Sequence, residues 1–395
     1  MQSSPEKIEV FAKDPDQWHC TTSSSCKRSC LLFFITIQFA VICALCITLR
    51  SLQNNVEPRI LRNQNFYDRT WNQLPNKMER LNDNPVYQRF NISRKMVRSR
   101  INLLIIVSSA PRRSDRRTAI RETWWNDHET NDKIKVVRKF FTDAPKNSTE
   151  QGRALLQEQK LNEDVIFQDL SGGVEFGKRF LYHMVWAMQN YEFDYFLRMD
   201  DDYFFCLERF LHELPMPMRP MYHWGYVHCL PNIVRPEESV ILFSRDLVEK
   251  FLSQNPGEIK GHPWADQMIA TWVQDLKLNN LYNHDNRLYH HPPLGDNLSF
   301  IKEKFKNACR KYIGVHGSYP EHMKLLWKLR EGKEYAGVEL DEYTTKCGLP
   351  QNFLWDAFTD KWKYKPKKLI SDPKWDTYKQ DLDKHVYVGR QEGEG

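Results

Sequence analysis

The segment Tyr195-Phe-Leu-Arg-Met-Asp-Asp-Asp-Tyr-Phe-Phe205 places three adjacent carboxylates between apolar residues. Its first part, Tyr195 to Leu197, has the apolar and aromatic character of a buried strand. In open α/β sheets, ligands bind in the crevice at the carboxyl ends of the strands. The segment therefore predicts an α/β fold in which Asp200, Asp201 and Asp202 lie at a ligand-binding edge.

The acidic run, Asp200 to Asp202, has the composition of a divalent-cation site. Hard divalent cations prefer carboxylate oxygens, and their remaining positions stay free for diphosphate oxygens and water. Such an ion stabilises the negative charge that grows on a departing nucleoside diphosphate. Carboxylates flanked by apolar residues are costly to bury without a counter-ion, which favours a metal site over a solvated turn.

Strand-like and helix-like segments alternate on both sides of the acidic run. The predicted strands are 101–107, 134–141, 164–167, 195–197 and 240–243. The predicted helices are 114–125, 150–162, 176–190, 207–214, 246–254 and 264–276. This alternation is typical of a layered α/β sheet with crossover helices. Ser114 or Asp115 is the predicted N-cap of the first helix.

The uncharged segment from Leu31 to Leu49 predicts a membrane anchor. Its residues would rise about 28 Å as a helix, close to the hydrocarbon thickness of a bilayer. A mostly polar stretch precedes it, which is not the pattern of a cleaved signal peptide. The predicted organisation is a cytosolic tail over 1–30, a transmembrane anchor over 31–49, a stem over 50–98, a lumenal catalytic domain over 99–330 and a C-terminal extension of unknown role over 331–395.

The residues after the anchor carry signs of a lumenal location. Glycosylation acceptors occur at Asn91, Asn147 and Asn297. Four cysteines follow the anchor, an even number that suits an oxidising compartment, and their three alternative pairings stay open: Cys206, Cys229, Cys309 and Cys347. The net charge of +6 is mild and spread along the chain, so we expect no nucleic-acid partner.

Four sequence blocks carry a resemblance to a known family. They are Arg117-Thr-Ala-Ile-Arg-Glu-Thr-Trp124, Arg198-Met-Asp-Asp-Asp202, Phe243-Ser-Arg-Asp-Leu-Val248, and Val315-His316 followed by Pro320, Glu321, Met323 and Trp327. In this order, over about 101–327, they resemble the β1,3-galactosyltransferase and β1,3-N-acetylglucosaminyltransferase family of Golgi type II enzymes.

The resemblance implies a glycosyltransferase type-A fold, which is a Rossmann-like mixed sheet flanked by helices. It implies a UDP-sugar donor, manganese and inversion at the anomeric carbon. The implied enzyme moves a hexose or N-acetylhexosamine to a glycan hydroxyl, on protein or lipid, in a β1,3 linkage. Galactose is the first expectation because it is common in the family. We further expect a single-pass type II protein of the Golgi membrane, and we allow for a homo-oligomer.

The resemblance also implies roles for residues at the acidic run. Asp202 would be a direct metal ligand, and Asp200 and Asp201 would hold the ribose and metal side of the donor. His316 would be the second protein ligand. A lone histidine is more often structural, so the resemblance is what supports His316.

Arg117 and Arg121 are expected to contact the donor. They share one helical face, and two guanidinium groups suit a diphosphate. An equally weighted alternative is a structural salt bridge of Arg121, for instance with Asp115 or Glu122. Trp124 is expected to be core.

The resemblance implies Asp266 as the base that takes the proton of the acceptor hydroxyl. The segment from His262 to Ala270 stands where the family's helix with an acidic pair begins, and Pro263 suits its first turn. Ala265 replaces the neighbouring acid, and Asp266 could instead cap the helix. The competing hypothesis is therefore a catalytically inactive, membrane-anchored glycan-binding or scaffold protein with the same fold.

Two segments depart from the family pattern on the sugar side of the site. The segment from Arg235 to Val240 replaces a glycine-rich stretch, and the segment from Ser171 to Lys178 replaces an Asn-Leu-Thr segment. Asp169 and Lys178 are the expected donor contacts in that region. Because both segments differ from the family pattern, the preferred donor sugar can differ from that of typical members.

Overall fold

The computed structural model describes residues 81–373 apart from 82, 94, 96, 127–133, 145–148, 171–174, 291–293, 296, 331–337 and 355–363. The described residues all belong to one compact unit. The predicted anchor and Asn147 lie outside the described residues. Within the described part, no helix is both long enough and apolar enough to cross a bilayer.

The strands are short and follow the predicted alternation. They are β1 Ser99–Arg100, β2 Leu103–Ser108, β3 Val136–Asp143, β4 Val165–Gln168, β5 Tyr191–Glu192, β6 Tyr195–Asp200, β7 Tyr203–Phe205, β8 His223–His228, β9 Arg235–Ser244, β10 Lys260–Gly261, β11 Asn283–Asp285, β12 Leu288–Tyr289, β13 Gly314–His316, β14 Thr344–Lys346 and β15 Lys367–Lys368.

The helices connect these strands. They are α1 Pro85–Gln88, α2 Ser114–Glu122, α3 Glu150–Asn162, α4 Phe176–Asn190, α5 Leu207–Glu213, α6 Arg245–Leu252, α7 Ala265–Asp275, α8 Leu298–Lys304 and α9 Pro320–Leu329. Single 3₁₀ turns occur at Trp124–Asn126, Leu340–Tyr343 and Leu369–Ser371. The N-cap of α2 is Arg113, so the predicted Ser114 or Asp115 cap is wrong.

Eight strands form a mixed central sheet in the order β14-β11-β8-β9-β6-β2-β3-β4. The segment β6-β2-β3-β4 is parallel, whereas β9 runs antiparallel to both of its neighbours. A smaller sheet has the order β12-β13-β7. Because β6 belongs to the large sheet and β7 to the small one, the acidic run lies where the chain passes between them.

Two apolar cores lie on the faces of the central sheet. The continuous apolar run in β2 is buried from Leu103 to Val107, as a strand covered on both faces requires. One core includes residues of α4, α6 and α7, and the other includes residues of α2, α5 and α9. The chain therefore has a mixed α/β architecture with a central sheet flanked by helices.

The predicted stem extends too far along the chain. Val86, Tyr87 and Phe90 are buried, and the Tyr87 hydroxyl donates to the backbone carbonyl of Leu252 over 2.9 Å. This part of the predicted stem therefore packs on the folded body.

The predicted C-terminal extension is not separate from the fold where it is described. Strand β14 pairs with β11 at the edge of the central sheet, and β15 pairs with β10. A disulfide joins Cys229 to Cys347, and a second joins Cys206 to Cys309. The domain boundary expected at residue 330 is therefore wrong. Of the three cysteine pairings that the sequence leaves open, the structure contains Cys206–Cys309 with Cys229–Cys347.

Candidate active site

The acidic run lies at the carboxyl end of β6, as predicted. Asp200 is the last residue of β6, and Asp201 and Asp202 form the turn into β7. The indole N–H of Trp124 donates to the backbone carbonyl of Tyr203 over 3.1 Å. Trp124 is fully buried, so it serves as core and fastens the start of β7 to the segment after α2.

Two buried arginines balance the charge of the acidic run. Arg198 Nη1 lies 2.7 Å from Asp200 Oδ1, and Arg116 Nη1 lies 2.9 Å from Asp201 Oδ1. Arg116 Nη1 is also 3.8 Å from Asp202 Oδ2. Burial nevertheless raises the pKa of Asp200 to about 6, and it raises the pKa of Asp201 as well.

Arg116 was not among the predicted site residues. It directly precedes the first arginine of the family block, and only the tertiary structure shows that its side chain reaches the acidic run. Its guanidinium also lies over the Tyr319 ring, 4.5 Å from the centroid. This contact links α2 to the residue that precedes α9.

His316 lies opposite Asp202 because β7 and β13 pair. The register aligns Tyr203 with His316, and His316 Nε2 lies 3.8 Å from Asp202 Oδ1. The following Gly317 has φ of 67°, a left-handed conformation that favours glycine. The backbone N–H of Ser318 then donates to the carbonyl of Asp202 over 2.7 Å, which closes the loop around the pair.

Asp202 and His316 together fit a divalent cation. A carboxylate oxygen and an imidazole nitrogen face each other at the mouth of the sheet, and both side chains are about four-fifths buried, with 18% and 21% exposure. Carboxylate oxygens suit manganese and imidazole nitrogens suit transition metals, so this pair of ligand types is compatible with a divalent transition-metal ion.

Asp266 is the second residue of α7 and is buried. Its Oδ2 accepts from Arg235 Nε over 2.6 Å, and its Oδ1 accepts from the backbone N–H of Gln267 over 2.7 Å. Burial raises its pKa, although Arg235 opposes this shift. Pro263 precedes the helix instead of lying in its first turn, since Trp264 is the N-cap.

Glu238 brings a carboxylate to the position where Ala265 lacks one. Its Oε2 accepts from the backbone N–H groups of Ala265 and Asp266, over 2.5 Å and 3.3 Å. The guanidinium of Arg198, which pairs with Asp200, donates to the Glu238 carbonyl. Glu238 therefore connects the acidic run to the start of α7. It was missed because it lies in the segment that departs from the family pattern.

The geometry of Arg117 and Arg121 corrects their expected donor contact. Arg117 is fully buried and binds Glu158 through Nε and Nη2, over 2.8 Å and 2.7 Å. Arg121 makes a two-bond pair with Asp164 over 2.8 Å and 2.7 Å. These pairs join α2 to α3 and to the residue before β4, so the salt-bridge alternative holds, with partners other than Asp115 and Glu122.

Asp169 and Lys178 line a different cavity of about 260 Å³, together with Arg89, His262 and Asp372. Lys178 Nζ lies 3.9 Å from Glu175 and 4.0 Å from Asp372. No contact among the described residues joins this pair to the acidic run. Their expected donor contact stays a prediction.

Two of the three glycosylation acceptors lie among the described residues, and both are exposed: Asn91 and Asn297. The Asn297 side chain accepts from the backbone N–H of Phe300 over 3.0 Å and caps α8. Glycan attachment at either position stays a prediction.

The sequence comparisons point to one family. Residues 115–239 match the family model described as galactosyltransferase. Beta-1,3-galactosyltransferase 6 from Mus musculus is 29% identical over 141 residues, which covers 33% of this chain and 41% of the relative. The alignment therefore spans less than half of that relative's length.

Two solved structures show a distant similarity. The apo structure of the WbbM bifunctional glycosyltransferase has a TM-score of 0.36 and 10% identity, over 60% of this chain and 50% of that chain. The galactosyltransferase LgtC, in complex with donor and acceptor sugar analogs, has a TM-score of 0.33 and 10% identity, over 58% of this chain and 97% of that chain.

The matched region contains α2 from its second residue, the acidic run and the segment that carries Arg235 and Glu238. The motif resemblance to β1,3-galactosyltransferases is thereby supported, and the segment that holds the acidic run is similar to the galactosyltransferase family.

Proposed function

We propose that the chain is an inverting glycosyltransferase with a type-A fold. It moves a hexose, galactose in the first instance, or an N-acetylhexosamine from a UDP-sugar to a glycan hydroxyl in a β1,3 linkage. One observation carries this proposal: Asp202, which lies inside the family-matched region, meets His316 at the end of β6, with 3.8 Å between Oδ1 and Nε2. Ligands of α/β sheets bind at such a strand end.

The proposed cofactor is manganese, held by Asp202 and His316, with Asp200 beside them. A bound divalent cation would supply charge stabilisation for the diphosphate leaving group. Arg198 and Arg116 hold Asp200 and Asp201 in place, so Asp202 is the member of the run that faces the histidine. In this proposal, Asp200 and Asp201 also orient the ribose and metal side of the donor.

Asp266 is the proposed general base. Its carboxylate takes the proton of the acceptor hydroxyl while that oxygen forms the new bond to the anomeric carbon. The bond from this carbon to the UDP oxygen breaks, and UDP leaves with the electron pair. The ion pair with Arg235 opposes the rise of the Asp266 pKa that burial causes, but it occupies Oδ2, so the acceptor must approach Oδ1 or displace the guanidinium.

The same ion pair favours a second candidate, a glycan-binding protein without catalysis. Arg235 belongs to the segment that replaces the family's glycine-rich stretch, and it neutralises the residue assigned as base. Ala265 also lacks the neighbouring acid. A protein with these two changes could keep the fold and bind a glycan acceptor without transferring sugar.

The proposed location is the Golgi membrane, with a single-pass type II anchor and a lumenal catalytic domain. Both disulfides among the described residues support an oxidising compartment. The acceptor glycan on protein or lipid and a homo-oligomeric state are part of the same proposal.

A panel of UDP-sugar donors distinguishes a glycosyltransferase from a protein that only binds glycans. The full chain is incubated with Mn²⁺, a set of glycan acceptors and UDP-galactose, UDP-N-acetylglucosamine or UDP-N-acetylgalactosamine, and acceptor-dependent UDP release is measured. Release with one donor and a new β1,3 linkage in the product are expected. Glycan binding without release from any donor would favour the second candidate.

A further inference from the structure

A second cluster of metal-ligating side chains lies beside the Asp202–His316 pair. It consists of His228 at the end of β8, Glu237 in β9 and His290 directly after β12. The rings of His290 and His316 are stacked, with 4.9 Å between centroids. The cluster thus borders the proposed manganese site but shares no ligand with it.

The three side chains converge on one point. His228 Nε2 lies 2.6 Å from Glu237 Oε2, and His290 Nε2 lies 3.2 Å from the same oxygen. The three ligand atoms lie within 4.8 Å of one another. In a tetrahedral zinc site with bonds of about 2.0–2.1 Å, ligand atoms are about 3.3 Å apart. Closing the cluster around an ion would therefore require movements of about 1.5 Å or less.

The donor set selects a class of ion. Two imidazole nitrogens and one carboxylate oxygen suit zinc and similar transition metals, whereas magnesium and calcium prefer oxygen ligands alone. The side chains are 13–21% exposed, so an ion can enter from solvent while most of its surroundings are protein. Three protein ligands also leave the fourth position open.

Glu237 ties the cluster to the unusual part of this chain. It lies in the segment from Arg235 to Val240, which replaces the glycine-rich stretch expected from the family resemblance. The same segment supplies Arg235 to Asp266 and the Glu238 side chain to Ala265. The replacement thus brings carboxylate and guanidinium groups to a region where the family pattern has glycines.

We propose that His228, Glu237 and His290 bind one zinc-type transition metal ion, separate from the manganese held by Asp202 and His316. The alternative is a hydrogen-bonded His–Glu–His cluster that only fastens β8 and β9 to the residue after β12. The proposal concerns metal binding and does not depend on glycosyl transfer.

Cobalt binding tests the proposal in an Asp202→Asn background, which removes a ligand of the first site. The full chain is stripped with a chelator and titrated with Co²⁺, whose visible absorption reports four-coordinate nitrogen and oxygen ligation. One equivalent of bound Co²⁺, displaced by Zn²⁺, is expected. Adding Glu237→Gln should weaken binding by about tenfold or more. Adding His212→Gln, at an exposed histidine, should leave it unchanged.

Histidine modification gives a second measurement that needs no variant. Zn²⁺ should protect His228 and His290, but not His212, from carbethoxylation, as read by peptide mass spectrometry. Equal Co²⁺ affinity with and without Glu237→Gln, or equal modification with and without Zn²⁺, would overturn the proposal and leave the hydrogen-bonded cluster. UDP release, measured separately, reports on the proposed transferase activity and not on this site.

Discussion

At the scale of single residues, each carboxylate of the acidic run faces a different basic side chain. Arg116 pairs with Asp201, Arg198 pairs with Asp200, and Asp202 faces His316. Each arginine comes from a different element, α2 and β6, so the arrangement requires both to be in place. A buried ion pair contributes little net stability, but losing one partner leaves an uncompensated charge.

Replacing Arg116 tests whether the buried Asp201 carboxylate needs its arginine partner. Arg116 and Asp201 have side-chain exposures of 8% and 9%, so Arg116→Met leaves a buried carboxylate without its counter-ion. We expect the free energy of unfolding to fall by about 3 kcal/mol, measured by urea denaturation.

The matched control is Lys324→Met, which breaks an exposed pair with Glu122 over 2.8 Å. Both of these side chains are about half exposed, so a change below about 1 kcal/mol is expected. Equal effects of the two substitutions would contradict the assigned role of Arg116.

Replacing Asp266 tests the proposed base. Asp266→Asn keeps the shape and the hydrogen bond with Gln267 but cannot take a proton. Its kcat should fall by about 10²–10⁴-fold, with little change in the KM for the donor. Unchanged turnover in the variant would mean that another group, with Glu238 as the nearest carboxylate on the α7 amides, is the base.

At the scale of elements, the start of α4 packs directly against the segment that precedes α7. The backbone N–H of Gly177 donates to the carbonyl of Pro263 over 2.8 Å. A Cβ on Gly177 would lie 2.1 Å from the carbonyl oxygen of His262, which is backbone and cannot turn aside. The segment that leads into Asp266 therefore packs directly on a glycine.

Gly177→Ala should move that segment. We expect a loss of about 1–3 kcal/mol in the free energy of unfolding, together with reduced transfer activity, because overpacking forces a backbone shift. Gly348→Ala is the control, since a Cβ there meets nothing within 4 Å. Denaturation curves that coincide for the two variants would show that the close contact has no energetic effect.

The elements also show what local sequence can predict. Helices α3 and α4 have the predicted bounds, because their apolar spacing and flanking residues are local signals. Strand β8 was missed, since His223, Gly225 and His228 do not give a clear apolar alternation. The pairing of β7 with β13 joins residues more than a hundred positions apart, and only the family resemblance anticipated that His316 meets Asp202.

At the scale of the whole molecule, distant parts of the chain complete the fold around the sheet. Strand β14, which lies in the predicted C-terminal extension, extends the central sheet, and the Cys229–Cys347 disulfide holds the region next to it. The sequence predicted an even set of lumenal cysteines but could not choose their partners, because pairing depends on three-dimensional proximity. Weak periodicity after residue 331 likewise hid the contribution of this region.

Buried histidines should make the whole fold sensitive to acid. Burial lowers the pKa of His223 to about 3 and of His262 to about 4, below the value of about 6.5 in the unfolded chain. Both are neutral when folded, so the unfolded state binds more protons as the pH falls from about 6.5 to 4. Stability is therefore full above pH 6.5 and is lost below it.

Urea denaturation at pH 7 and pH 5 measures this effect. Each histidine should contribute a loss of about 2 kcal/mol between these values. His262→Gln should reduce the pH dependence, whereas His212→Gln, at an exposed position, should not. The same pH dependence in wild type and in His262→Gln would show that His262 is protonated normally in the folded state.

The most direct test of the proposed function measures turnover in variants of the two proposed metal ligands, Asp202 and His316. Acceptor-dependent UDP release is measured as a function of Mn²⁺ concentration for wild type, Asp202→Asn, His316→Gln and the control His212→Gln. The account predicts activity that requires Mn²⁺ in wild type and in the control, and a loss of about a hundredfold or more in the other two. Full Mn²⁺-dependent activity in Asp202→Asn or in His316→Gln would contradict it.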